Sequence, residues 1–477
     1  MLFNSIDFAI FLPIVFILYW AIPIGKIRIK NSFLLVASYV FYGWWDYRFL
    51  SLIILSSLVD YLVGIRIQKA TNLYKKRLLL FASVFTNLGI LGFFKYSNFF
   101  IENFQNAFSV FGYNLSLGTM QIILPVGISF YTFQTMSYSI DIYKGKMQAT
   151  DDIIAFFSYV AFFPQLVAGP IERAKNLLPQ FYYEKRFDYF LVKTGLRQML
   201  WGLFKKIVIA DNCATFVEKI FTDYTSYSSV TLIIAAFVFS FQIYCDFSGY
   251  SDIAIGVAKL FGFNLRKNFA FPYFSRDVAE FWRRWHISLS SWFKDYVYIP
   301  LGGSRGSKVL QIRNTFIIFL LSGFWHGAKW NFIVWGIIHA ILFLPLLLIG
   351  QNRKNITVAS VSLLPSFKDS VNILFTFTLV TFAWIFFRAS SLPLAIDYFY
   401  HIFIFPPSGV VTLIPFKLFI PILLLIFIEW INRDKEFGLS INWLIRNKKV
   451  RWMSYFFLLF LIIFYVNKGE NFIYFQF

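Results

Sequence analysis

The chain reads as an all-α polytopic membrane protein, and three observations carry that reading. Hydrophobic residues make up 58% of its 477 positions and charged residues 14%, where a soluble domain is roughly 25% charged. The mean hydropathy is +0.64. Apolar runs near the roughly 20 residues needed to cross a bilayer as a helix recur from one end to the other. They cover 8–24, 31–45, 49–65, 78–94, 120–140, 198–219, 230–258, 314–329, 331–350, 371–387, 413–431 and 452–466. Because some are short or charged, the expectation is about 11–13 transmembrane or re-entrant helices.

The opening Met1–Trp20 has neither a basic leader nor a small-residue cleavage site, so it is expected to be a retained first span. The basic residues then set a direction. Lys26, Arg28, Lys30, Arg66, Lys69, Lys75, Lys76 and Arg77 fall on one side of the first spans. Arg433, Lys435, Arg446, Lys448, Lys449 and Arg451 join them near the end. The opposite loops hold little beyond Arg48, Lys95, Arg388 and Lys468. By the positive-inside rule the first set is cytoplasmic, and both termini are expected on the outer, periplasmic side. A net charge of +20 spread over short loops forms no single basic face, so no nucleic-acid partner is expected.

No composition shift or internal repeat divides the chain, which is read as one membrane domain, 1–477. Its parts are N-terminal spans in 1–147, a catalytic core in 148–350, and C-terminal spans with a tail in 351–477. Two stretches of the core interrupt the spanning pattern. Around Phe163-Pro164-Gln165 and Ala168-Gly169-Pro170 the prolines end the helix, which predicts re-entrant backbone. Residues 264–313 are polar and aromatic; Trp282, Trp285 and Trp292 predict a helix lying at a membrane interface, with Glu280 and Arg284 spaced to pair. The basic segment 432–451 is expected to be a cytoplasmic loop. Cys213 and Cys245, the two cysteines, sit in apolar sequence and predict buried thiols.

Four histidines occur: His286, His326, His339 and His401. His326 closes an apolar run within Ser322-Gly323-Phe324-Trp325-His326-Gly327, where small neighbours permit close approach. An ionisable group at that depth is a functional candidate, with a helix-packing histidine as the alternative. His286 stands beside Arg283 and Arg284, which disfavour a second positive charge and leave a neutral ring able to accept a proton. On a continuous helix His339 points about 220° from His326, and with His401 it is assigned a structural role. The lack of an HExxH or Cys/His ligand set argues against a metal hydrolase, and no Gly-x-Ser-x-Gly elbow is present. Gly302-Gly303-Ser304-Arg305-Gly306 is either a plain turn or a phosphate cradle with Arg305 as its cation. Asp246 and Asp252 lie in apolar sequence and need partners, for which Arg283 and Arg284 are the candidates; a structural ion pair and a substrate contact both remain open for them.

Several segments, taken in order, resemble the membrane-bound O-acyltransferase family, in its alginate O-acetyltransferase branch. They are Met1-Leu2-Phe3-Asn4-Ser5, Tyr42-Gly43-Trp44-Trp45-Asp46, Phe163 to Pro170, 244–256, 281–303 and Trp325-His326-Gly327. The resemblance implies a ring of helices around a thinned core, with a cytoplasmic donor entrance and an outward acceptor funnel. It makes His326 the active histidine and His286 the second histidine of the bacterial branch. The implied reaction is O-acetylation of an exported polysaccharide in a bacterial inner membrane. No cofactor is bound; the donor is acetyl-CoA or an acyl carrier protein thioester. The resemblance further implies a separate periplasmic SGNH-type transferase and an exported glycan acceptor as partners.

A thioester carbonyl is already activated, so such a site needs a base for an oxygen nucleophile and donors for the oxyanion. His326 is assigned as base and His286 as an orienting or donor-side group, with Asp246, Arg283, Arg284 and Arg305 as substrate contacts. The aromatic ending Phe472 to Phe477 resembles the tail motif of the D-alanylation system, which makes Tyr474 either an acyl relay or an interfacial anchor. The rival class is a multi-span transporter or flippase of a polysaccharide export system.

Overall fold

A computed structural model describes the chain except residues 114, 116, 117, 168, 353, 354, 356, 357, 359–362, 404–408, 441–446 and 467–477. The described residues are mainly helical, and no strand occurs among them. Five stretches, Ile27–Lys69, Leu73–Val110, Ser229–Leu260, Trp330–Leu348 and Phe367–Arg388, are long and apolar enough to cross a membrane. Large apolar side chains stand exposed along the helices, as on Phe81, Phe85, Phe375 and Ile463. Such a surface is solvated by lipid.

The fold comprises two compact units. Their limits differ from the subdivision at 147 and 350. The first unit holds residues 1–193 and 257–265. It contains α1 (Ile6–Ala21), α2 (Ile27–Asp46), α3 (Leu50–Lys69), α4 (Leu73–Leu91), α5 (Ser97–Val110) and α6 (Ile128–Tyr143). Ser5 caps α1, its hydroxyl accepting from the Phe8 amide at 3.2 Å. The expected break in the core falls at Phe162, between α7 (Ile153–Ala161) and the short α8 (Phe163–Leu166), with Pro164 in the first turn where its missing donor costs nothing. A last short helix, α9, covers Ala174–Leu177. Asp60 of α3 is buried and accepts from the hydroxyls of Ser83 and Ser139 and from Asn87 Nδ2 at 2.6 Å, so helix-borne polar groups satisfy it without water.

The second unit holds residues 194–256 and 266–477. α10 (Tyr189–Leu203) enters it, passes through a π-helical stretch at Phe204–Ala210, and continues as α11 (Asp211–Thr222). The run expected over 198–219 therefore lies within one continuous helical stretch that carries a π-helical segment. α12 (Ser229–Leu260) packs on this strand of helices at glycine: a Cβ on Gly249 would meet the Gly202 carbonyl, and one on Gly256 the Gly195 carbonyl. Small residues at these crossings admit close backbone approach. Next come α13 (Val278–Arg284), α14 (Ile287–Phe293), α15 (Lys308–His326) and α16 (Trp330–Leu348). The unit ends with α17 (Phe367–Arg388), α18 (Leu392–Phe403), α19 (Phe416–Ile431) and α20 (Lys448–Tyr465). α15 and α16 form a hairpin locked by Gly323 against the Phe332 carbonyl and Gly336 against the Phe319 carbonyl.

The interfacial helix expected in 264–313 is corrected by the structure. Trp285 and Trp292 are buried, and Trp285 packs on Phe281 and on Trp384 at 5.0 Å. These indoles fill the core of the unit, because α13 and α14 are only seven residues each and α13, with Trp285 after it, lies against Trp335 of α16 and Trp384 of α17. Cys213 and Cys245 are free and buried, as expected.

Candidate active site

Two histidines meet inside the second unit. His326 is the last residue of α15 and His286 the residue just before α14; both are buried, with ring centroids 6.4 Å apart. Around His326 stand Trp325 at 5.0 Å, Trp335 of α16 at 5.2 Å and Phe387 of α17 at 5.3 Å. Their edges and faces fix the ring and exclude water.

His286 takes a left-handed backbone, φ 43°, which is unusual for a residue with a Cβ. Asn268 holds it there. The Ile287 amide donates to the Asn268 carbonyl at 2.9 Å, and the Ser288 amide and hydroxyl donate to Asn268 Oδ1 at 3.2 and 2.9 Å. An atom that receives a backbone N–H is the amide oxygen, so His286 Nδ1, 3.1 Å from the same oxygen, must be the protonated nitrogen. Burial disfavours the charged ring, so Nε2 carries a lone pair, and it has no hydrogen-bond partner among the described residues. The ring is edge-on to Phe247 at 4.6 Å. The site thus contains a neutral imidazole of fixed tautomer with its basic nitrogen open, next to a second imidazole.

Behind this pair lies a third. His339 Nδ1 accepts from Trp282 Nε1 at 3.3 Å, and its ring is 4.9 Å from Trp335, the same indole that packs on His326. The face argument from a continuous helix fails here, since residues 327–329 separate α15 from α16 and reset the helical phase. His401 hydrogen-bonds through Nδ1 to the Asp397 carbonyl at 2.8 Å, one turn back on α18, away from this cluster of rings.

The charged candidates are placed otherwise than expected. Arg284 pairs with Glu280 at 2.8 Å, the anticipated i,i+4 pair, and Arg276 joins the same carboxylate at 3.1 Å. Arg283 donates to the carbonyls of Asn352 and Asn355 at 2.6 and 2.5 Å. Neither arginine forms an ion pair with Asp246 or Asp252 among the described residues. Those carboxylates are met by the consecutive Lys205 and Lys206: Lys205 contacts Asp252 at 2.6 Å, and Lys206 contacts both Asp246 and Asp211, at 2.7 and 2.8 Å. The lysines reach them because the π-helical stretch turns both toward α12. Arg305 is exposed in a turn with Gly302, Gly303 and Gly306 at positive φ; Gln311 and Asn314 bind the turn's carbonyls. Tyr474 lies outside the described residues. Asn268, Trp335 and Lys206 carried no sequence signal, since each is an ordinary residue until its neighbours are in place.

The family model of the membrane-bound O-acyltransferases matches residues 149–392, which contain every residue of this site. The chain is 39% identical over 400 residues to the probable alginate O-acetylase of Pseudomonas aeruginosa, an alignment spanning 83% of this chain and 73% of that protein. It is 36% identical over 428 residues to the peptidoglycan O-acetyltransferase of Helicobacter pylori, spanning 83% and 78%. A shorter similarity, 31% over 238 residues, relates 47% of the chain to 57% of the teichoic acid D-alanyltransferase of Streptococcus thermophilus.

Proposed function

Since the chain belongs to the membrane-bound O-acyltransferase family, we propose that this integral membrane enzyme carries an acetyl group from a cytoplasmic thioester across a bacterial inner membrane for O-acetylation of an exported polysaccharide. The observation that carries the chemistry is the buried pair His286–His326, one ring held in a single tautomer by Asn268. The thioester donor is acetyl-CoA or an acylated carrier protein. A hydroxyl oxygen attacks the thioester carbonyl while His326 takes the hydroxyl proton. The tetrahedral centre then collapses, the C–S bond breaks, and the thiolate leaves with the proton that His326 returns. Ester and thiol are the products, and no further reactant is required.

His286 Nε2, an acceptor only, orients the incoming group by receiving a hydrogen bond from its O–H or N–H. The oxyanion needs a donor, and the indole of Trp335 is the one we assign. Its Nε1–H is buried without an acceptor among the described residues, on the ring that packs against His326. Tyr474 is the proposed first acceptor, which would pass its acetyl group to a periplasmic SGNH-type transferase and thence to the glycan. The charge asymmetry supports a periplasmic side for both termini.

The test replaces His326 by alanine in cells and measures two quantities on the exported glycan: its amount, and its acetyl content by mass analysis. The expected result is unchanged export of glycan without acetyl groups. Normal acetylation would remove His326 from the chemistry, and loss of export itself would favour a transporter.

A further inference from the structure

A cavity of about 430 Å³ opens between α12, α17 and α19; Tyr244 in its wall packs against Trp285 at 6.2 Å. Its wall is aromatic: Phe241 and Tyr244 from α12, Tyr273 from the loop before α13, Phe377 from α17 and Trp430 from α19. Tyr273 and Phe377 meet edge-on at 5.0 Å and Tyr244 and Tyr273 at 5.2 Å, so several ring faces and edges converge on one space. One acid lies among them. Glu429 is buried and accepts from the Tyr244 hydroxyl at 2.9 Å, but forms no ion pair among the described residues. Two lysines face the same acid from its other side, but Lys205 is bonded to Asp252 and Ser248 and Lys267 to the Lys435 carbonyl, and neither reaches Glu429 at ion-pair distance. A buried carboxylate whose nearest cations are bonded elsewhere is costly, and a ligand that relieves the cost is a cation.

A carboxylate within a set of aromatic faces is the chemistry that recognises an ammonium group. The surroundings say where that ammonium comes from. Glu429 is in the last turn of α19, beside Trp430 and just before Arg433, whose guanidinium lies 4.5 Å over the Trp430 ring. That is the depth of lipid headgroups, where tryptophan and arginine gather. Leu374 on α17 and Phe427 on α19 are exposed and continue an apolar path from the cavity along the membrane-spanning helices. We propose that this cavity is a binding site for the ethanolamine headgroup of a membrane phospholipid, with its ammonium on Glu429 and its acyl chain along α17 and α19.

The full chain, purified in detergent, is titrated with short-chain phosphatidylethanolamine, phosphatidylglycerol and free ethanolamine, and bound molecules are counted by native mass spectrometry. Phosphatidylethanolamine is expected to bind about ten-fold tighter than phosphatidylglycerol, the difference an ammonium on an acid and aromatic rings supplies. Glu429→Gln keeps an acceptor for Tyr244 and should abolish the preference. Phe377→Leu should reduce it while leaving the acid in place, and decides the matter if the first variant does not fold. Equal binding of the two lipids by the unsubstituted protein, or a preference that survives in the folded variants, overturns the site. Displacement by free ethanolamine at equal concentration overturns the lipid assignment.

Discussion

Asn268 Oδ1 lies 3.1 Å from His286 Nδ1 and decides which nitrogen of that ring holds the proton. The same oxygen takes the Ser288 amide, so it cannot act as a donor to the imidazole.

Replacing Asn268 by alanine should lower acyl transfer by roughly 5- to 150-fold, the equivalent of the about 1–3 kcal/mol that a lost buried hydrogen bond costs. Asn268→Asp keeps the acceptor and should restore part of the rate, with a shifted pH–rate profile because a carboxylate makes the ring more basic. Transfer rates from a labelled thioester across a pH series check both. Equal rates in the two variants would reduce Asn268 to packing.

Trp335→Phe retains an aromatic ring against His326 and removes only the indole N–H. The expected loss is about 10²–10³ in kcat with the thioester's KM little changed, as for an oxyanion donor. If Trp335 only packs, KM and kcat stay near their original values, and single-turnover assays separate the cases.

Lys206 stands between Asp211 and Asp246, all three buried. Lys206→Met leaves two carboxylates without their shared cation and should destabilise by about 3–5 kcal/mol. Adding Asp211→Asn and Asp246→Asn to it should recover most of that loss. Thermal unfolding of the three proteins in detergent gives the comparison.

Tyr474→Phe separates relay from anchor, because the ring remains and only the hydroxyl goes. The expected outcome is exported glycan without acetyl groups at normal protein abundance. A phenol with a pKa of about 10 needs a neighbouring base to attack a thioester, so the His326 and Tyr474 variants should fail alike. Cysteine labelling at residues 69 and 470 should report opposite sides of the membrane.

Hydropathy made most of the helices legible. The runs 31–45 and 230–258 fall inside α2 and α12, 49–65 falls inside α3 but for its first residue, and 78–94 runs from α4 into the π-helical turn that follows it. It missed the π-helical stretch at Phe204–Ala210, whose lysines meet Asp246 and Asp252 on α12, about 40 residues on; local pattern holds no record of that meeting. The same gap misdirected Asp246 and Asp252 toward Arg283 and Arg284, which were charged and conspicuous but already bound to Glu280 and to backbone carbonyls. The histidine pair was legible because imidazoles are rare in apolar sequence. Asn268 was not, because what distinguishes it is a position in space: one side chain within reach of three donors.

That position also makes the site readable without turnover. The Ile287 and Ser288 amide hydrogens both end on Asn268, outside any helical ladder that would protect them on its own. Each exchanges with solvent deuterium only while the loop bearing Asn268 is lifted away, and at that moment His286 loses its fixed tautomer as well. Deuterium uptake at these two positions is thus a clock for the fraction of time the histidine pocket is unmade, and it runs whether or not a donor or acceptor is present.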